Sequence, residues 1–135
     1  MMNEEHLLRL LGYIGVVRES LRMQNWDVRL HRTPHGKEDT WAYTWAEDSH
    51  DTINIEICPE LLTADPWVIR NSIVHELIHA QHRDLALAAG FPVLQMERFV
   101  SWATRQIEPS VPLYIPRTRG SRPAEYAVAE GCSLL

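Results

Sequence analysis

The sequence predicts an α+β domain, and its hydrophobic periodicity carries that prediction. Between residues 26 and 57 lie three short segments with period-two alternation. A longer stretch with helical periodicity and well-marked ends follows at 65–90. Apolar residues spaced by three and four near the N-terminus add a helix ahead of the strands. The expected layout is an N-terminal helix, a three-stranded antiparallel sheet, a long helix and a following helix. It forms one domain over residues 1–135, with 109–135 as a loop-rich tail.

The elements follow in order. Residues 4–24 place Leu7, Leu11, Ile14, Val17 and Leu21 on one face of a helix. Gly12 and Gly15 weaken that helix by propensity but allow another element to pack closely against it. Trp26–Arg32 alternates, with Trp26, Val28 and Leu30 on one side. Thr33-Pro34-His35-Gly36 reads as a turn. Thr40–Ala46 alternates again and groups Trp41, Tyr43 and Trp45, for which core packing is the first reading. Glu47-Asp48-Ser49-His50 forms a second polar turn, and Thr52–Ile57 aligns Ile53, Ile55 and Ile57. An antiparallel meander is the simplest way to join three such strands. The long helix has Asp65 as N-cap, Pro66 at its first position and Gly90 at its stop. A further helix runs from Pro92 to about Ile107 and ends at Pro109. Within the tail, Ala124–Glu130 is a candidate short helix.

Composition narrows the function classes. An apolar fraction of 45% with 23% charged residues is that of an ordinary globular chain. A net charge of −5 argues against a nucleic-acid surface, and the Arg117, Arg119, Arg122 cluster reads first as a solvated loop. Cys58 and Cys132 form no CxxC pair or disulfide framework, which suits a reducing, cytoplasmic setting. The acidic start predicts no signal peptide, and no apolar run is long enough for a membrane span.

The chemistry is concentrated in His75-Glu76-Leu77-Ile78-His79, an HExxH sequence. Histidines four apart stand one helical turn above each other, so both imidazoles reach one metal ion. Glu76, about 100° round the helix, approaches a metal-bound water as general base without being a ligand. By chance alone the motif would arise in such a chain with a probability of roughly 3%, so its context decides. That context is a helix with two inward faces. Ile69, Ile73, Leu77, Ala80 and Leu87 form one apolar stripe, while His75, His79, His82, Asn71 and Ile78 lie roughly opposite. A simple surface helix would show a charged second face instead.

A catalytic zinc takes three protein ligands and keeps a position open for water. Glu97 is the first choice for the third. It lies on the next helix, at the edge of the stripe Val93, Met96, Val100, Ala103 and Ile107, where a carboxylate is costly unless paired or metal-bound. An edge carboxylate that pairs with Arg98 or Arg105, or faces water, is the bland alternative. His82 is the second choice, but about 10 Å of helical rise separates it from His75. It is better suited to hydrogen-bonding substrate or a supporting carboxylate. His50, Glu125 and Glu130 are outside candidates, and Cys132 could cap the open position. For an oxyanion stabiliser the sequence offers Tyr114, Tyr126 and His82.

The stretch INIEICPELLTADPWVIRNSIVHELIHAQH resembles the minimal zincin peptidases, including SprT-like and ImmA/IrrE-like domains and their small phage-encoded relatives. In those domains a strand and a P-x-L segment precede the HExxH helix, as Ile53–Ile57, Pro59 and Leu61 do here. QMERFVSWATRQIEP is similar to the helix that carries their third, acidic ligand. The resemblance spans roughly residues 40–108. It implies a gluzincin-like zinc site of His75, His79 and Glu97, with Glu76 as base, hydrolysing peptide or protein substrates. It also implies that a strand of the 40–57 hairpin pairs with the substrate backbone. The alternative in a different class is a catalytically silent protein of the same fold that binds a host or phage protein.

Overall fold

The computed structural model describes residues 4–32, 41–45, 51–115 and 126–135, with the backbone alone at 84–87. Among these are three α-helices and a four-stranded mixed sheet: an α+β architecture. In chain order the elements are α1 (Glu4–Ser20), β1 (Asp27–Leu30), β2 (Ala42–Trp45) and β3 (Thr52–Ile57). A 3₁₀ helix (Pro59–Thr63), α2 (Pro66–Ala89), α3 (Val93–Ile107), a 3₁₀ turn (Glu108–Ser110) and β4 (Cys132–Leu134) complete the set.

The strand order is β2-β3-β1-β4. β2 and β3 form the expected antiparallel pair, Ala42 opposite Ile57 and Trp45 opposite Asn54. β1, however, runs parallel to β3, with Val28 beside Ile53 and Leu30 beside Ile55. The expected all-antiparallel three-stranded meander is therefore incorrect. Alternation fixes which side chains share a face, and Val28, Leu30, Ile53 and Ile55 share one in either direction. It does not encode strand direction. The tail also contributes a strand that periodicity missed: β4 is only three residues long and pairs parallel with β1, Val28 beside Cys132. β1 thereby becomes an interior strand, with Val28 and Leu30 fully buried. Residues 126–129 are not helical, so the described part of the expected Ala124–Glu130 helix does not form.

α1 stops earlier than its apolar spacing predicts. The Arg22 amide donates to the Glu19 carbonyl and the Met23 amide to the Arg18 carbonyl, both spanning the helix end. With Arg22 at φ 58° this is a Schellman stop built without glycine. α1 is buried over most of its circumference, Leu7, Leu10, Leu11, Tyr13, Ile14 and Val17 included. The tail covers the side that the rest of the core leaves open. A methyl group at Gly12 would meet the Tyr126 backbone, and one at Gly15 would meet Ala129, so the expected close packing is met by the tail. Buried Arg18 ties the seam, donating to the carbonyls of Trp26 (2.8 Å) and Glu130 (2.9 Å).

The long helix matches its boundary residues. The Asp65 carbonyl accepts from the Val68 and Ile69 amides, and Gly90 adopts φ +69° at the stop. Ile69, Ile73, Leu77 and Ala80 are buried as expected, and so are Val74 and Ile78. α3 buries Val100 and Ala103, but Val93, expected in its apolar stripe, is 79% exposed. No helix among the described residues is long and apolar enough to cross a membrane.

Candidate metal centre

α2 and α3 pack against each other, and β2 lies against α2. At this junction His75, His79 and Glu97 converge, each offering one ligand atom, all within 4.8 Å of one another. Glu97 Oε1 is 2.9 Å from His79 Nε2, and its Oε2 is 3.6 Å from His75 Nε2. The imidazole centroids are 4.8 Å apart at an interplanar angle of 68°. Zinc bonds of about 2.0–2.2 Å in a tetrahedron would set neighbouring ligand atoms about 3.4 Å apart. The two carboxylate–imidazole distances run to different oxygens of Glu97, and with one donor atom from each residue the group lies within 4.8 Å, a set of two imidazoles and a carboxylate that could hold a metal ion.

The electrostatics favour ligation too. Burial pushes both histidines below their usual 6.5, and His75 is lowered further by repulsion from His79; Glu97 opposes the shift at both. Neutral imidazole is the ligating form. Glu97 is about half exposed, with a side-chain exposure of 49%. It thus reaches the histidines from the rim, and its partners are these two rings rather than the expected alternatives Arg98 and Arg105.

Glu76, half-buried beside the ligands, accepts a hydrogen bond of 3.1 Å at Oε2 from the Thr44 hydroxyl of β2. Sequence reasoning missed Thr44. Its signal lay in the same alternation that grouped the rings: if Trp41, Tyr43 and Trp45 share a face, Ala42 and Thr44 share the other, which faces α2. Tyr43 and Trp45 stack at 5.9 Å, and Trp45 packs on His31 at 4.5 Å. Opposite Glu56 and Asn54, these rings line the sheet face away from α2, and Trp41 is 47% exposed. The core-packing expectation for the three is corrected accordingly.

The remaining candidates lie elsewhere. The His82 ring sits edge-on to Phe99 at 5.1 Å and does not join the metal group. Tyr114 and Tyr126 stack on each other at 5.8 Å and cluster with Tyr13 and Arg9 on α1. The Tyr126 hydroxyl accepts from the Ile115 amide. These tyrosines seat the tail, so the structure gives them no place as oxyanion donors. Cys132 and Glu130 lie at the β4 edge, opposite β2, with the Cys132 sulfur facing Gly15. His50, Glu125 and the Arg117, Arg119, Arg122 cluster lie outside the described residues, as do the side chain of Leu87 and the two predicted turns.

Comparison with protein-family models, curated proteins and solved structures found no match to this chain. The functional reading therefore rests on the geometry of the site.

Beside the metal group opens a cleft of about 380 Å³, walled by Thr44, His79, Ala80, Arg83, Phe91, Val93, Met96 and Glu97. It gives the group access to solvent and space for a ligand on one side.

Proposed function

We propose that this protein is a zinc metallopeptidase of the minimal zincin kind, hydrolysing peptide bonds in a peptide or protein substrate. The observation that carries the reading is the convergence of His75, His79 and Glu97 next to a carboxylate, Glu76, on the same helix. Three ligands, with no fourth histidine, cysteine or acid joining them among the described residues, favour a catalytic over a structural site. Bound there, zinc supplies Lewis acidity toward the scissile carbonyl and a water acidified to a pKa of about 7.

The chain's own residues have divided tasks. His75 and His79, held neutral by burial, offer lone pairs from adjacent turns of a rigid helix. Glu97 closes the grip from α3 and contributes the negative charge that partly offsets a dication. Glu76 accepts the proton of the attacking water and passes it to the departing amine, the proton residing on a carboxylate oxygen in between. Thr44 holds that carboxylate in one orientation through Oε2. β2 is the edge strand beside α2 among the described residues, and it is the strand to which an extended substrate would add its backbone.

Metal analysis tests the ligand set: about one zinc per chain is expected, with loss in His75→Ala and His79→Ala. Glu76→Gln separates binding from turnover. It should retain the metal and lose cleavage of an unfolded protein substrate by at least about a hundredfold, the usual lower range for a general base. Cleavage at the wild-type rate would remove Glu76 from the mechanism.

A further inference from the structure

We infer that the outward face of α3 docks on an anionic lipid surface. The inference is independent of the metal site and stands on what this helix leaves uncovered. α3 turns Val100, Ala103 and Thr104 inward, and its main contacts are with α2 and the 3₁₀ turn that follows it. Leu94, Arg98, Trp102 and Arg105, spaced by four, four and three, share the opposite face, and all are exposed. Leu94 is 63% and Trp102 55% exposed. Phe99 borders them at 37%, its ring 6.5 Å from that of Trp102. Large apolar side chains gathered on one face mark an interaction surface, whereas an ordinary surface scatters them singly.

Charge decides the occupant. Arg98 and Arg105 stand in this face, and neither is held in an ion pair among the described residues. The acids nearby are already engaged: Glu97 is turned to the two imidazoles, and Glu108 accepts from Asn71. A second copy fits poorly, because a two-fold contact sets the face against itself and arginines against arginines. A partner helix fits poorly too, because it seats in a groove, and here one convex helix stands out beyond α2. An anionic bilayer meets both demands. It is flat, and its headgroups accept the guanidinium N–H groups while Leu94, Phe99 and Trp102 enter the boundary beneath. Tryptophan suits that depth, with an apolar ring system and one N–H for the wet side. The net charge of −5 does not prevent docking, since salt screens charges more than about 8–10 Å away. Each arginine at an anionic leaflet strengthens attachment about fivefold, so docking is reversible and sensitive to salt.

Co-sedimentation of the full chain with vesicles tests this without reference to metal or turnover. Vesicles of equimolar phosphatidylglycerol and phosphatidylcholine should bind at least about tenfold more strongly than phosphatidylcholine alone, and high salt should shrink the difference. Arg98→Gln combined with Arg105→Gln should remove most of that preference. Leu94→Ser and Trp102→Ser should each weaken binding several-fold. Tryptophan emission should shift to the blue on binding, and the conservative Trp102→Phe should abolish the shift. These positions are exposed, so the variants should keep the wild-type urea midpoint. Equal binding to the two vesicle types, or anionic binding untouched by every one of these substitutions, would overturn the inference. Dimerisation without lipid in sedimentation velocity, abolished by Trp102→Ser, would overturn it in favour of a second copy. Capture of single-stranded DNA in place of vesicles would overturn it in favour of nucleic acid.

Discussion

Gly12→Ala and Gly15→Ala add the same methyl group to the same helix, so the gain in helix propensity, about 1 kcal/mol, is common to both. They differ in what the methyl meets. At Gly12 it would clash with the Tyr126 carbonyl oxygen and lie 2.6 Å from its Cβ and 2.8 Å from its carbonyl carbon. Ordinary contact needs a retreat of about 1 Å by backbone, and that backbone is pinned by the stacking of Tyr126 on Tyr114 and by Arg9. At Gly15 the nearest atom is the Ala129 Cβ at 3.2 Å, which a shift of a few tenths of an ångström relieves. Overpacking of the first kind costs about 1–3 kcal/mol. After the propensity gain, Gly12→Ala should destabilise by about 0–2 kcal/mol, while Gly15→Ala should be neutral or stabilising by up to about 0.5 kcal/mol. In a domain of this size each 1 kcal/mol moves Tm by about 3–5 °C, so the two variants should melt several degrees apart. Urea and thermal unfolding followed by tryptophan fluorescence would read the difference. Equal effects of the two substitutions, or a stabilised Gly12→Ala, would show that the tail is not seated on α1.

Three further outcomes follow from the site and its scaffold. Thr44→Val removes the hydroxyl that orients Glu76 and should lower kcat about tenfold with unchanged zinc content, while Thr44→Ser retains most of the activity; identical kcat values would dismiss the contact. In the metal-free protein the folded-state pKa values of His75 and His79 lie below 6.5, so the unfolded chain takes up protons first. Stability is then fully present above about pH 6.5 and declines as pH falls through the lowered values. The decline should be no steeper than about 1.4 kcal/mol per pH unit for each histidine, and His75→Ala should flatten it; a wild-type profile already flat from pH 7.5 to 5 would contradict the burial of these rings. Arg22→Gly relieves a left-handed backbone at a non-glycine residue and should stabilise by up to about 1 kcal/mol, measurable as a raised urea midpoint; a lowered one would mean the Arg22 side chain contributes more than the strain costs.

The site was more legible in the sequence than the sheet around it. HExxH places two imidazoles together with a carboxylate beside them through helix geometry alone, because four residues of helix bring a side chain back to the same face. Glu97 was singled out as a carboxylate on the border of an apolar stripe, but its side chain is 49% exposed and Val93, one turn away, is 79% exposed, so it meets the two imidazoles from the rim and not from a buried position. The ends of α2 were marked by Asp65, Pro66 and Gly90, each favoured at its position by local backbone geometry. Strand direction was not marked, since periodicity is the same read forwards or backwards. β4 escaped because three residues carry no period, and its partner strand is remote in sequence. The end of α1 at Arg22 escaped because a left-handed stop is advertised by glycine, and this one lacks it. Thr44 was hidden behind the aromatic residues on the opposite face of its own strand.

The residues of the candidate metal group all fall between 75 and 97, whereas the seam that completes the sheet joins Arg18 to Glu130, 112 residues apart. During synthesis all three residues of the candidate metal group are present as soon as α3 has left the ribosome, while β1 still lacks its second neighbour. Until β4 arrives, the unpaired amides and carbonyls of β1 form a template that any extended chain can use, the ordinary route to aggregation through sheet edges. The short final strand therefore acts as a closing clasp, and its timing sets how long the half-made sheet stays vulnerable.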